Sequence, residues 1–413
     1  MRTHDRRSLL LVTASVFAWL LSGCGRDLPS TATAETAQDA LVIPAFDSTI
    51  PLTERPLVHR LGFWAPAEQV RGYMAMETIF PTKPIRAGGT VHPLLESPRP
   101  IIGNFVFENR PYTVDDLMAS SRASGLIVVK DGEIVIERYG LGRKPTDRWT
   151  SFSVVKPLTS TLVGAAIKDG YIRSVDDPLD MYIPELKGGT FEGVTLRNAM
   201  RMSSGSGWVE TYDDPESHFN LYATNPGPEF YKLMSSLPRQ VEQGTRYAYS
   251  TGDTNLVGVA VINATGKGLA EYASEKIWKP YGMEADGVWM TSRSGLETGG
   301  ICYSATLRDV ARFGMFVLDN GKIDGKDVLP PNWFKEATTP SEGSPIYGYN
   351  WRIDEGGQSF RHAGIFGQLL YINPEMNMVI VINSAWRKAS NPELRQMHQA
   401  FIDAVIEELK ARN

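Results

Sequence analysis

Ser153-Val154-Val155-Lys156, followed by Pro157-Leu158-Thr159, is the stretch on which the reading of this chain turns. On a helix, positions three apart share a face, so the Lys156 amine can reach the Ser153 hydroxyl. A serine hydroxyl is a weak nucleophile until a neighbouring base takes its proton. A partly desolvated lysine can be that base, because burial lowers its pKa. Pro157 fits a first helical turn, where backbone N–H groups lack intrahelical acceptors. The same turn favours negative charge developing beside Ser153. The four-residue pattern alone is weak, since composition gives roughly one chance occurrence in a chain this long. Its surroundings decide.

Upstream, Gly125-Leu126-Ile127-Val128-Val129 runs into Lys130-Asp131-Gly132 and then Ile134-Val135-Ile136. That pattern is a β-hairpin with an Asp-Gly turn. A helix is expected from Ser153 to Lys168, closed by Gly170. Residues 174–340 mix helices and loops, with helices expected from Leu269 to Lys279 and from Leu307 to Leu318. A second hairpin flanks Asn373-Pro374-Glu375-Met376-Asn377, and an amphipathic helix runs from Pro392 to Arg412 with Leu394, Met397, Phe401, Val405 and Leu409 on one face. Strands at both ends with helices between them predict an α+β fold. An antiparallel sheet flanked by helices comes from 120–148 and 340–412, a helical lobe comes from 150–340, and one domain spans 120–412.

The first residues stand apart from that domain. Arg2, Arg6 and Arg7 precede an apolar run from Leu9 to Leu21, which ends in Leu21-Ser22-Gly23-Cys24. This reads as an export signal over residues 1–23, too short to span a bilayer comfortably. Its end resembles the lipobox of bacterial lipoproteins, which implies lipidation of Cys24 and anchoring to a membrane of the bacterial cell envelope. Residues 24–48, rich in Ala, Thr, Ser and Asp, read as a flexible tether. Residues 49–119 carry many prolines and scattered aromatics and read as an irregular extension covering one edge of the domain.

Composition excludes several classes of function. Charged residues make up 22% and the net charge is −5, with no long basic run, so no nucleic-acid surface is expected. The six histidines lack metal-ligand spacing, no G-x-S-x-G elbow occurs, and no phosphate-binding glycine loop occurs. Neither metal nor cofactor is expected. With Cys24 lipidated, Cys302 has no disulfide partner and reads as a buried structural thiol.

Two further motifs complete the pattern. Tyr249-Ser250-Thr251 lies 96 residues beyond Ser153, and His362-Ala363-Gly364 lies 113 residues beyond Tyr249. With Gly170-Tyr171-Ile172, Asp176-Asp177-Pro178, Met202-Ser203-Ser204-Gly205 and Tyr371-Ile372-Asn373-Pro374-Glu375, the chain over about 120–410 resembles the serine β-lactamase-like superfamily. That group includes class C β-lactamases, D-alanyl-D-alanine carboxypeptidases, esterases and 6-aminohexanoate-dimer hydrolases. The resemblance is strongest to the last branch, through Ser160-Thr161-Leu162-Val163-Gly164, Tyr182-Ile183-Pro184-Glu185-Leu186, Ser204-Gly205-Ser206-Gly207-Trp208 and Tyr212-Asp213-Asp214-Pro215.

The resemblance implies a β-lactamase/transpeptidase-like fold and a set of roles. Ser153 would be acylated, Lys156 would activate it, and Tyr249 would move protons to the leaving group and from water. The backbone N–H groups of Ser153 and Ile365 would form the oxyanion hole. Tyr212, Thr251, His362 and Gly364 would face a small amide or ester substrate. Trp208 and Trp351 could line the same pocket, although packing suits both. His362 replaces the lysine that gives β-lactamases and carboxypeptidases a fixed positive charge, and histidine is mostly neutral at pH 7. Thr251 stands where Asn or Ser is commoner. Both departures favour an amidase or esterase for short linear substrates. A β-lactamase or D-alanyl-D-alanine carboxypeptidase and a non-catalytic envelope-binding lipoprotein are the alternatives.

Overall fold

The computed structural model describes residues 50–51 and 54–412. The export signal, Cys24 and the tether lie outside the described residues. The hairpin around Asp131-Gly132 forms between strands Ala123–Lys130 and Glu133–Tyr139. Asp131 and Gly132 take φ values of 52° and 80°, the left-handed pair that matches the twist of a two-residue hairpin loop. The run Leu126–Val129 is apolar without alternation because both faces of its strand are covered. Ile127 and Val129 enter the core shared with the helical region, whereas Leu126 and Val128 face the C-terminal helix.

The hairpin forms one side of a seven-stranded sheet. Its order is Arg352–Ile353, Phe360–Gly364, Gln368–Asn373, Met378–Ser384, Ala123–Lys130, Glu133–Tyr139, Leu95–Glu96. All neighbours are antiparallel except the last pair. The helix Pro392–Lys410 covers one face with Met397, Phe401, Val405 and Leu409, and Asn391 caps its first turn by accepting from Leu394 N at 3.2 Å. The helix Leu307–Leu318 packs on the other face.

The extension over 49–119 is more ordered than its prolines suggest. Leu95–Glu96 adds the parallel edge strand, and Thr82–Ile85 pairs with Gly287–Met290 in a smaller sheet completed by Tyr303–Ala305 and Trp149–Thr150. Pro66–Met74 is a helix. Strands of two and four residues are too short to show a period, which is why the sequence reads as irregular there. The helix expected from Leu269 to Lys279 is interrupted by a π turn over Ser274–Trp278. The wider turn falls where Pro280 has no N–H to give the preceding turn.

At the centre, Val155–Lys168 packs against Thr251–Thr265. The central helix buries Thr159, Ser160 and Thr161 without leaving their hydroxyls unpaired. Thr159 donates to Gly299 O at 2.6 Å, Ser160 to Tyr349 O at 2.9 Å and Thr161 to Pro157 O at 2.7 Å. Among the described residues, no helix is long and apolar enough to cross a membrane.

Candidate active site

Ser153 lies in a 3-10 turn, Phe152–Val154, that leads directly into the helix Val155–Lys168, so the expected helix starts two residues later than its motif. Lys156 is one turn on and fully buried. Its Nζ reaches Ser153 Oγ at 3.0 Å, Thr251 Oγ1 at 3.1 Å and Gly300 O at 2.6 Å. The last contact depends on glycine, because a Cβ on Gly300 would stand 2.7 Å from Thr251 O. Burial pushes the Lys156 pKa down to about 7, against an opposing pull from the Glu210 carboxylate. The amine is therefore a base near neutral pH beside a serine hydroxyl.

Tyr249 comes to this pair from the loop before the helix Thr251–Thr265. Its ring centroid is 5.0 Å from Lys156 Nζ, and its hydroxyl lies 3.4 Å from His362 Nε2. Burial, then the Glu210 charge, hold the phenol pKa well above its ordinary value, while a hydrogen bond with Ser153 opposes them. Tyr249 is thus held as the neutral phenol beside the Ser153–Lys156 pair.

His362 is buried on the strand Phe360–Gly364. Its Nδ1 lies 2.8 Å from Asn350 O, which assigns the proton to Nδ1 and leaves Nε2 to accept from Tyr249. Burial and the Lys156 charge push its pKa down to about 3, so it brings no positive charge to the cleft. Arg361 points to the opposite face, where it pairs with Asp354 at 2.7 Å.

Gly364 ends that strand, and a Cβ there would meet Ser151 O at 3.0 Å. This close approach brings Ile365 beside the Ser153 turn. Ser153 and Ile365 each lie in the first residues of a 3-10 turn, where N–H groups have no intrahelical acceptor. Two amides of this kind suit a developing oxyanion.

Thr251, expected to face substrate, has its hydroxyl taken up elsewhere. It accepts from Lys156 and donates to Glu210 Oε1 at 2.6 Å, while its backbone N–H donates to Glu210 Oε2 at 2.9 Å. Glu210 also accepts from the Trp208 indole and, at 3.3 Å, from the Tyr212 hydroxyl. This half-buried carboxylate, two residues from Trp208 and Tyr212, was not singled out by sequence reasoning. Asn350, whose backbone holds His362 and whose side chain donates to Lys156 O at 3.2 Å, was missed as well.

Tyr212 packs its ring on Phe219 at 4.9 Å and borders a cavity of about 460 Å³ with Gly62, Phe63, Arg387 and Lys388. Trp351 is fully buried against Phe360, a packing role. Cys302 is a buried free thiol whose pKa burial raises to about 12, so it is an inert group behind the site.

With this geometry established, comparison with known proteins supplies the lineage. A model of the Beta-lactamase family matches residues 113–402, well over half of the chain. The 6-aminohexanoate-dimer hydrolase of Paenarthrobacter ureafaciens is 25% identical over 324 residues, covering 72% of this chain and 81% of that protein. A protein of Escherichia coli (strain K12) assigned as a D-alanyl-D-alanine carboxypeptidase is 20% identical over 336 residues, covering 63% and 77%. The solved structure of a Bacillus anthracis protein assigned as a 6-aminohexanoate-dimer hydrolase superposes with a TM-score of 0.74 at 25% identity, covering 83% of this chain and 94% of that one. The buried amine beside a serine at the mouth of a helix thus has its kin: this chain belongs to the Beta-lactamase family and is a serine hydrolase.

Proposed function

We propose that the enzyme hydrolyses an amide or ester bond of a short linear substrate through an acyl-Ser153 intermediate, in the manner of a 6-aminohexanoate-dimer hydrolase. The observation that carries this reading is the contact between a fully buried Lys156 Nζ and Ser153 Oγ at 3.0 Å, with the amine poised near pH 7. Neutral Lys156 takes the Ser153 proton as Oγ adds to the carbonyl carbon. The Ser153 and Ile365 amides hold the resulting oxyanion. The leaving amine or alkoxide departs with a proton from Tyr249, which Lys156 replenishes. Water then adds to the acyl carbon with Tyr249 and Lys156 taking its proton, and Ser153 leaves with a proton regained.

The neutral His362 supports short linear substrates recognised without a fixed cation at this position over β-lactams or D-alanyl termini, whose carboxylates a cation there would attract. A panel of p-nitrophenyl esters, linear ω-amino amides and a chromogenic cephalosporin tests this against wild type and Ser153→Ala. Turnover of esters and amides that disappears in Ser153→Ala is expected. Rapid cephalosporin turnover, equally dependent on Ser153, would replace the reading with a β-lactamase. The lipobox pattern supports attachment of the enzyme to the cell envelope through Cys24, and loss of membrane-associated protein in Cys24→Ala is the corresponding test.

A further inference from the structure

Residues before 113 lie outside the stretch matched by the family, yet one of their side chains stands behind both arms of the oxyanion hole. Tyr73, on the helix Pro66–Met74, has no exposed surface. Its ring meets Phe152 edge-on, with centroids 5.0 Å apart at 87°, and meets Phe366 at 5.8 Å. The two phenylalanines touch each other at 5.3 Å. Phe152 immediately precedes Ser153, and Phe366 immediately follows Ile365.

Both phenylalanines are held at positive φ, 43° for Phe152 and 59° for Phe366. Bulky residues leave that region unless their surroundings fix them there. The Phe152 backbone orients the peptide that carries the Ser153 N–H, and the Phe366 backbone closes the turn that begins with the Ile365 N–H. The Tyr73 ring also meets Trp149 at 5.6 Å. Trp149 donates its indole N–H to Gln368 Oε1 at 3.1 Å, and Gln368 Nε2 donates to Phe366 O at 3.2 Å and Ser384 O at 2.7 Å. The helix bearing Tyr73 is itself tied down, since Gln69 Nε2 donates to Trp386 O at 3.2 Å and Arg122 donates to Pro66 O at 3.1 Å.

We propose that Tyr73 is a positioning residue for the oxyanion hole, packed against both Phe152 and Phe366 so that the turns carrying the Ser153 and Ile365 amides are held together. The segment upstream of the family stretch is then part of the catalytic apparatus. This rests on the acyl-Ser153 reading and on those two amides binding the oxyanion.

The test compares Tyr73→Leu and Tyr73→Phe in the full chain, with p-nitrophenyl butyrate as substrate. Loss of one oxyanion donor lowers kcat by about 100- to 1,000-fold in well-studied hydrolases. A displaced pair of amides in Tyr73→Leu is expected to lower kcat about 30-fold with KM within about twofold, while Tyr73→Phe, which keeps the ring, stays within about threefold of wild type. Hydrogen exchange read on peptides spanning 151–154 and 364–368 should quicken in Tyr73→Leu, with the strand Ala123–Lys130 unchanged. If Tyr73→Leu does not fold, Tyr73→Met, which fills irregular space flexibly, makes the same comparison. Folded Tyr73→Leu or Tyr73→Met with unchanged kcat, or with unchanged exchange in both turns, would overturn the proposal and leave Tyr73 as packing. Wild-type protein that turns over no ester and whose Ser153 a fluorophosphonate leaves unmodified would instead overturn the acyl-serine reading. The exchange measurement would still decide whether Tyr73 holds the two turns.

Discussion

The Thr251 hydroxyl donates to Glu210 Oε1 at 2.6 Å while accepting from Lys156 Nζ at 3.1 Å. A carboxylate is thereby linked to the buried amine through a single hydroxyl. Its charge holds the Lys156 pKa above the value burial alone would set.

Glu210→Gln should move the pH profile to the acid side. With neutral Lys156 as the proposed base, kcat/KM should climb as pH rises through the lysine pKa near 7. Removing the carboxylate removes an influence that raises this pKa, and the ascending limb should fall by about 0.5–1 pH unit. The profile of kcat/KM between pH 5 and 9 measures it. A limb that stays put or moves to alkaline pH would show that Glu210 does not act on Lys156.

His362→Gln separates the two groups that could titrate near neutrality. With its pKa pushed to about 3, His362 is already neutral across the working range, so the limb should keep its position. The fixed imidazole that bridges Asn350 O and the Tyr249 hydroxyl is replaced by a flexible amide, and loss of one neutral hydrogen bond corresponds to about tenfold in kcat. Disappearance of the limb would transfer the titration from Lys156 to His362.

Tyr249→Phe removes the hydroxyl proposed to carry protons and leaves the ring beside Lys156. Its kcat on an amide should fall by about 100- to 1,000-fold, within the usual range for general acid–base groups, with KM little changed. Steady-state kinetics on matched amide and p-nitrophenyl ester substrates reads the effect. The ester, whose leaving group needs no proton, should lose less. Equal losses on both would place Tyr249 outside leaving-group protonation.

Lys156→Met should make the folded protein more stable at pH 7. The folded pKa of about 7 lies below the ordinary 10.5, so the unfolded chain binds more protons between these values and stability rises with pH across that window. Below it, carrying the buried charge costs on the order of 5 kcal/mol, and the Gly300 carbonyl left unpaired in the variant offsets part of the gain. A net stabilisation of about 1–3 kcal/mol at pH 7, shrinking toward pH 10, is expected from urea unfolding at several pH values. A gain that grows with pH would contradict the depressed lysine pKa.

What sequence reasoning reached follows the range of the interactions involved. Ser153 and Lys156 are one helical turn apart, so their contact is written in local geometry. The Asp131-Gly132 turn is local too, because its left-handed backbone depends on those two residues. Tyr249 and His362 stood out because short motifs surround them, although their hydroxyl–imidazole contact closes 113 residues of chain. Glu210, Asn350 and Tyr73 gave no signal. A glutamate, an asparagine and a tyrosine are ordinary residues on paper, and their roles arise from contacts with segments far off in the chain.

The sequence by itself determined the α+β layering, the two hairpins that come from opposite ends of the domain and lie side by side in the sheet, and the presence of a serine and lysine one turn apart. Periodicity, turn chemistry and i,i+3 spacing are properties of neighbouring residues. Only the tertiary structure decided the charge state and aim of the site. It buried Lys156 until its pKa approached 7, set a carboxylate behind Thr251, made His362 neutral, and packed Tyr73 from outside the family stretch against Phe152 and Phe366. Desolvation, long-range charge and strained backbone depend on what surrounds a residue in space, and that is fixed only when distant segments pack together.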